Sequence, residues 1–284
     1  MQDAFLTVAL LAGLGVASWR DLRAREVPDL VSLGLVALGV LGALSLAIAA
    51  RDPWRLVPAI TGVVAGFAMG TVLYRTRQWG GGDAKLLAGV GAILGLWAPG
   101  YRLLVFLVLL AFSGAAYGIA WTAWLIVRHW RPFRTAFARR IREPGVHRVR
   151  LALVGLGAVG ILLLLFVPWP YTLLIGLALL GAYLLLYGWI VSRTLEETAL
   201  TKDCPVGNLE EGDWLVADVR KGARLIARAS RTGVSLREIA ALRRARVRTV
   251  RVREGIPFVP AFLIAAVMLL LLESRGVGFA ALLG

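Results

Sequence analysis

Residues 79–92 read WGGGDAKLLAGVGA, which sets a single acid, Asp83, behind three glycines at the start of an apolar segment. A charge without a partner beside lipid hydrocarbon is energetically expensive, so ionisable residues in such places usually serve a function. The neighbouring acids along the chain are distant, since Asp52 precedes Asp83 and Glu143 follows it. The isolation of Asp83 therefore predicts a specific use for its carboxyl group.

The amino-acid composition predicts a membrane protein. Of the 284 residues, 59% are hydrophobic, and the mean hydropathy is +0.76, whereas soluble domains are roughly half apolar. The first apolar stretch has no basic leader and no small-residue cleavage site, so we expect it to be retained as a helix. The single cysteine, Cys204, allows neither an internal disulfide nor a four-cysteine zinc site.

We expect an all-α polytopic membrane protein of about eight transmembrane helices, with a small α+β cytosolic domain. The chain contains eight apolar runs whose lengths are near the roughly 20 residues that a helix needs to cross a bilayer. They are residues 4–19, 30–49, 56–73, 84–98, 102–127, 150–167, 169–191 and 257–273.

The basic residues predict the orientation of these spans. When the spans are threaded alternately, 28 of the 32 Lys and Arg fall on one face, and the exceptions are Arg51, Arg55, Arg102 and Arg275. By the positive-inside rule the basic face is cytoplasmic. The net charge of +15 is therefore explained by topology and by contact with anionic lipid head groups, and we expect no nucleic-acid partner.

The polar segments divide the chain further. Within the polar block 193–256, SLRE at residues 235–238 predicts a capping box that opens a helix through about Arg246. WLVADV, ARLIARAS and VRTVRVR predict short strands. The predicted division is a catalytic membrane core 1–127, a basic cytoplasmic loop 128–149, a transmembrane hairpin 150–192, a cytosolic α+β domain 193–256, and a terminal span with its tail 257–284.

A second acid is predicted to lie at the same membrane face as Asp83. The first span ends in SWRDLRAREVPDL, residues 18–30, which places Asp21 at its cytoplasmic end. If the first and fourth helices pack together, the two carboxyl groups share one proton, because like charges at close range do not both ionise. Such a pair holds an acid and a base at one pH, which is what an aspartic protease needs to activate water and polarise a carbonyl.

Simpler interpretations of both acids stay open. Asp21 can be a solvated interfacial charge that balances Arg20, Arg23 and Arg25. Asp83 can be the N-cap of the fourth helix, with the glycines as an ordinary loop. Against this, a cap can be made by Ser or Asn without introducing charge.

The residues around the two acids suggest how a peptide would bind. Gly80, Gly81 and Gly82 have no side chains, so an extended peptide can approach their backbone and pair with it. Glu26 and Asp29 are candidates to receive the basic leader of a substrate, although Asp29 is also a candidate N-cap of the second span.

The two acidic motifs resemble a known family. DLRAREVP at 21–28 and GGGDAKLL at 80–87 are similar to the signature motifs of the prepilin and preflagellin peptidases, which are GxGD intramembrane aspartic proteases. The resemblance assigns Asp21, with Arg23, Val27 and Pro28, to the Asp-x-Arg-x-x-x-aliphatic-Pro motif. It assigns Gly80, Gly82 and Asp83 to the Gly-x-Gly-Asp motif. Asp21 and Asp83 are then the catalytic residues.

Later segments are similar to archaeal members of the family. These segments are EEGDWLVADV at 210–219 and REGIPFVPAFLIA at 253–265. The chain departs from the archaeal pattern in having about eight predicted spans where six are usual. It also lacks the paired Cys-x-x-Cys element of the large bacterial enzymes, so their coupled N-methylation is not implied.

The resemblance implies an endopeptidase that removes short leader peptides from pilin-like or archaellin precursors at the cytoplasmic membrane face, without a cofactor or metal. A presenilin-type protease is an alternative, but its Tyr-Asp and Pro-Ala-Leu motifs do not occur in this chain. A proton-coupled transporter is another alternative, which predicts acids near mid-membrane and internal repeats.

Overall fold

The computed structural model describes residues 2–76, 78–96, 101–164, 166, 168–230 and 233–276. The chain forms two compact units, which are described separately. The first unit comprises residues 1–121 and 255–284, and the second comprises residues 122–254.

The described residues are mostly helical. The helices are α1 Gln2–Ala24, α2 Asp29–Ala50, α3 Val57–Arg75, α4 Gly81–Leu94, α5 Arg102–Arg128, α6 Trp130–Ile141, α7 Pro144–Leu164, α8 Tyr171–Thr198, α9 Leu236–Arg244 and α10 Val259–Ser274. The strands are β1 Thr201–Pro205, β2 Trp214–Leu215, β3 Val219–Lys221, β4 Arg224–Ala227 and β5 Thr249–Arg253.

Within the described ranges, six helices are long and apolar enough to cross a membrane, namely α1, α2, α3, α5, α7 and α8. The other two predicted spans are shorter than the roughly 20 residues that a crossing needs. Predicted span 84–98 corresponds to α4, which has 14 residues, and predicted span 257–273 corresponds to α10, which has 16. Residues 97 and 98, together with 165 and 167 of the sixth predicted span, lie outside the described residues. The count of eight spans is therefore not confirmed.

Helix α4 lies at the centre of the first unit because small residues let its neighbours approach closely. A Cβ added at Gly66 of α3 would lie 2.6 Å from the Leu87 carbonyl oxygen, and one added at Gly70 would lie 2.6 Å from Ala84 Cα. On α2, a Cβ at Gly39 would lie 2.6 Å from the Ala92 carbonyl carbon. Backbone approach of this kind is how helices associate where water supplies no driving force.

Helix α10 is fixed in the first unit at both of its ends. Near its C-terminus, Glu273 accepts two hydrogen bonds from Arg102 at the start of α5, at 2.6 and 3.0 Å. Nearer its N-terminus, the buried Ser113 hydroxyl of α5 donates to the Ala261 carbonyl at 3.1 Å. The N-terminus of α10 is therefore held in a defined place in the helix packing.

In the second unit, β1, β5 and β2 form an antiparallel sheet in the order β1-β5-β2, and β3 pairs with β4. The predicted capping box is confirmed, because Ser235 and Glu238 exchange hydrogen bonds at the start of α9. The predicted strand segments contain short strands: WLVADV contains β2 and the first residue of β3, ARLIARAS contains β4, and VRTVRVR contains β5. Strand β1 was not predicted, since its sequence TKDCP buries only Cys204 and carries little apolar pattern.

The segment 128–149, predicted as a basic loop, contains α6 and the beginning of α7. Phe133 and Ala136 of α6 are buried, whereas Arg131 and Arg134 are exposed. This helix therefore has an apolar face packed in the second unit and a basic face in contact with solvent.

Candidate active site

Asp21 lies in the last turn of α1 and is only 7% exposed. Its Oδ2 accepts a hydrogen bond from the backbone N–H of Val259, at 2.9 Å. Val259 is the first residue of α10, where backbone N–H groups have no partner inside the helix and the helix dipole is positive. The end of α1 and the beginning of α10 thus form a buried anion-binding arrangement around this carboxyl group.

The solvated interpretation of Asp21 is wrong, because the side chain is buried. Nor does it form an ion pair with any described cation. Arg23 instead lies over the Trp19 ring, with its Cζ 4.6 Å from the ring centroid. Arg25 lies over the Trp121 ring, with its Cζ 5.4 Å from the centroid.

Asp83 occupies the third position of α4. The N-cap is Gly80, so the interpretation of Asp83 as the N-cap residue is wrong. Its Oδ2 nevertheless accepts a hydrogen bond from the Gly80 N–H at 3.0 Å, which is the acidic half of a capping box. The carboxyl group therefore stabilises the start of α4 in addition to any chemical role.

An aromatic cluster connects the surroundings of the two acids. The Trp79 ring, in the loop that leads to Asp83, lies 5.4 Å from the Phe258 ring and 5.3 Å from the Phe262 ring between centroids. Phe258 immediately precedes Val259, the hydrogen-bond partner of Asp21. The two carboxyl groups lie within electrostatic range of each other. The structure thus brings the buried Asp21 and the partly buried Asp83 into one region of the first unit.

The three motif glycines differ in the space beside them. A Cβ at Gly80 would lie 3.4 Å from Asp83 Oδ2, and one at Gly81 would lie 3.8 Å from Tyr74 Cε2, both ordinary contacts. A Cβ at Gly82 would lie only 2.8 Å from Val27 Cβ. Gly82 is therefore needed for packing against the segment between α1 and α2, whereas Gly80 and Gly81 leave room beside the backbone.

Replacing Gly82 by Ala is expected to lower the free energy of unfolding by about 1–3 kcal/mol, the usual cost of overpacking. The added methyl meets Val27 Cβ, so Val27→Gly in the same chain, which removes that atom, should restore part of the lost stability. Thermal unfolding in detergent measures both effects, with Gly81→Ala as the control that leaves Tm unchanged. A double variant as unstable as Gly82→Ala alone would show that Val27 is not the cause.

The other two candidate substrate-binding residues are exposed. Glu26 lies in the segment between α1 and α2. Asp29 is the first residue of α2, whose N-cap is Pro28, so its interpretation as the N-cap is wrong. Asp29 instead pairs with Lys85 of α4 at 2.7 Å. Both side chains are about half exposed, so the pair contributes at most about 1 kcal/mol.

Several residues around the acids were not singled out from the sequence. They are Val259 as the partner of Asp21, Trp79 in the aromatic cluster, and Tyr117 near Asp21. The run GIPFVP does mark the start of a helix, and a helix start is a general anion site. Only the packing of α1 against α10 shows which acid occupies it.

Comparison with known proteins supports the resemblance seen in the motifs. Residues 8–119, which include both acids, match the Type IV leader peptidase family. No solved structure matches the chain.

Curated relatives match a similar part of the chain. A preflagellin peptidase of Methanococcus maripaludis is 38% identical over 82 residues, which are 29% of this chain and 35% of the relative. A preflagellin peptidase of Methanocaldococcus jannaschii is 33% identical over 82 residues, with the same shares of 29% and 35%. A prepilin peptidase of Methanothermobacter thermautotrophicus is 32% identical over 87 residues, which are 31% of this chain and 22% of the relative. The chain thus matches about a third or less of the length of these relatives.

Proposed function

We propose that this protein is an intramembrane aspartic endopeptidase that removes short leader peptides from type IV pilin-like or archaellin precursors at the cytoplasmic face of the cell membrane. The observation that carries the proposal is that the buried Asp21 and the partly buried Asp83 lie within electrostatic range of each other. Both acids lie in the part of the chain that matches the leader peptidase family. The relatives named as preflagellin and prepilin peptidases supply the substrate class.

The two acids have different surroundings, and we assign their roles on that basis. Asp21 accepts a hydrogen bond from the backbone N–H at the start of α10, so we assign it the role of the base. Asp83 lies near the negative charge of Asp21, which favours the protonated acid. The pair therefore holds one proton between two carboxyl groups.

The reaction follows from these roles. Asp21 removes a proton from a water molecule, whose oxygen bonds to the scissile carbonyl carbon. Asp83 donates its proton to the carbonyl oxygen as the tetrahedral intermediate forms. The C–N bond then breaks as Asp21 passes its newly acquired proton to the leaving nitrogen, while one hydroxyl of the intermediate returns its proton to Asp83 and the carbonyl of the new carboxyl group forms. No cofactor enters these steps.

The proposed orientation follows from charge. The basic residues support a cytoplasmic location for the α1 end with Asp21. We propose that α4 and α10 also lie within the membrane as the remaining two of eight spans. The precursor would keep its apolar helix in lipid while its cleavage junction reaches the acids. The exposed Glu26 and Asp29 would face the basic leader. The exposed arginines of α6 would contact anionic lipid head groups.

The pH profile and the response to inhibitors test the proposed chemistry. Because one proton is shared, the initial rate of precursor cleavage should follow a bell-shaped curve whose limbs belong to the pair. The rate falls at low pH when both groups are protonated and at high pH when the shared proton is lost. A metal chelator and a serine-reactive phosphonate should leave the rate unchanged. Loss of activity with chelator, restored by added metal, would contradict the proposal.

A further inference from the structure

Three buried polar atoms near Asp21 have no hydrogen-bond partner among the residues that the structure describes. They are Ser18 Oγ, Arg25 Nη1 and Tyr117 Oη. Ser18 lies one turn before Asp21 on the same face of α1, and Arg25 directly follows the last residue of α1. A buried polar group without a partner costs about 1–3 kcal/mol, and such groups are rare in native proteins. Because these atoms cluster beside one carboxyl group, we expect a bound ligand to supply their missing hydrogen-bond partners.

Arg25 is held in place by its backbone and by aromatic contacts. It follows the last residue of α1 with φ at +59°, the left-handed conformation common where helices end. Its backbone N–H donates to the Asp21 carbonyl at 3.0 Å. Its guanidinium lies over the Trp121 ring, which stacks on the Tyr117 ring with centroids 5.8 Å apart. The fixed backbone and the ring stack thus keep the guanidinium close to the tyrosine.

The chemistry of these groups selects the ligand. An arginine only donates hydrogen bonds, and Tyr117 lies within electrostatic range of both Asp21 and Arg25. The ligand must therefore accept hydrogen bonds. A carboxylate or phosphate ligand would be repelled by ionised Asp21, whereas a neutral peptide carbonyl is not. An extended peptide at a cleavage junction presents such carbonyls unpaired.

We infer that the Tyr117 hydroxyl and the Arg25 guanidinium bind main-chain carbonyl oxygens of the precursor at the cleavage junction. This inference rests on the proposed peptidase function. Bound in this way, the peptide lies between α1 and the Tyr117 face of α5, with its scissile bond beside Asp21. Donors at this place also stabilise the charge that grows on the carbonyl oxygen as water adds.

The test uses Tyr117→Phe in the full-length purified protein. Because the hydroxyl has no hydrogen-bond partner among the described residues, its removal should leave Tm unchanged or slightly higher. It should lower kcat/KM for precursor cleavage by about 10–100-fold, since a donor to the reacting carbonyl is lost. Arg25→Gln should also lower kcat/KM. Tyr183→Phe on α8 is the matched control and should behave like the wild type.

A binding measurement gives a second readout that does not require cleavage. In the Asp21→Asn background, Tyr117→Phe should weaken the affinity for the intact precursor about fivefold, the effect of one hydrogen bond near 1 kcal/mol. Wild-type cleavage and wild-type affinity in Tyr117→Phe would overturn the inference, as would a parallel loss of Tm and rate. If Asp21→Asn still cleaves the precursor, the proposed function fails. If Asp21→Asn is inactive while Tyr117→Phe is fully active, only this inference fails.

Discussion

Asp21→Asn and Asp83→Asn are each expected to lower the rate of leader cleavage by about three orders of magnitude or more, because each removes a proton-transfer group. The substitutions keep side-chain size. An Asn oxygen can still accept the hydrogen bonds that Val259 donates to Asp21 and that Gly80 donates to Asp83. Activity should therefore be lost while Tm stays close to that of the wild type. Cleavage of a purified precursor and thermal unfolding in the same detergent measure the two effects.

This pair of readouts separates chemistry from helix capping. If Asp83 only stabilised the start of α4, Asp83→Ala would lower Tm and Asp83→Asn would cleave at nearly the wild-type rate. Glu197→Gln is the control for a general loss of negative charge. Glu197 pairs with Arg139 and Arg140 in the second unit, so this variant should leave the cleavage rate nearly unchanged.

Gly91→Val is expected to disrupt the packing of α4 and to abolish activity with it. A Cβ at this position would lie 2.7 Å from the Gly62 carbonyl carbon of α3, and the atoms that it meets all belong to the Gly62 backbone. Side-chain rotation therefore cannot relieve the overlap, and we expect a loss of about 3 kcal/mol or more in the free energy of unfolding. Thermal unfolding and size-exclusion chromatography measure the outcome.

Gly34→Val on α2 is the matched control, because a Cβ at Gly34 would meet nothing within 4 Å. This variant should remain monodisperse and retain activity. Equal Tm values for the two variants would show that close approach of α3 and α4 does not support the position of Asp83.

Local sequence patterns were sufficient to predict the features that depend on neighbouring residues. Apolar runs predicted the six long helices, and the Ser235–Glu238 spacing predicted the start of α9. The helix in segment 128–149 was missed because its apolar face is narrow, with Phe133 and Ala136 buried among arginines. Helices α4 and α10 were predicted as spans from apolar length alone, although the structure gives them fewer residues than a crossing needs.

The candidate site depends on contacts between distant parts of the chain. The sequence indicated Asp21 and Asp83 from charge isolation and motif spacing. It did not indicate that Asp21 would bind the Val259 N–H, 238 residues away. Gly82 was predicted to give a peptide access to the backbone, but the space beside it is filled by Val27. Such contacts arise from tertiary packing, which local periodicity does not encode.

The most direct test of the central claim is a double-mutant cycle on the two acids. Single-turnover cleavage of a precursor by excess enzyme is measured for Asp21→Asn, Asp83→Asn and the double variant, so that slow rates remain detectable. If one shared proton performs the reaction, either substitution removes the whole pair, and the double variant should cleave no more slowly than the slower single variant. A double variant whose loss equals the product of the two single losses, or a single variant that cleaves at the wild-type rate, would contradict the aspartic pair.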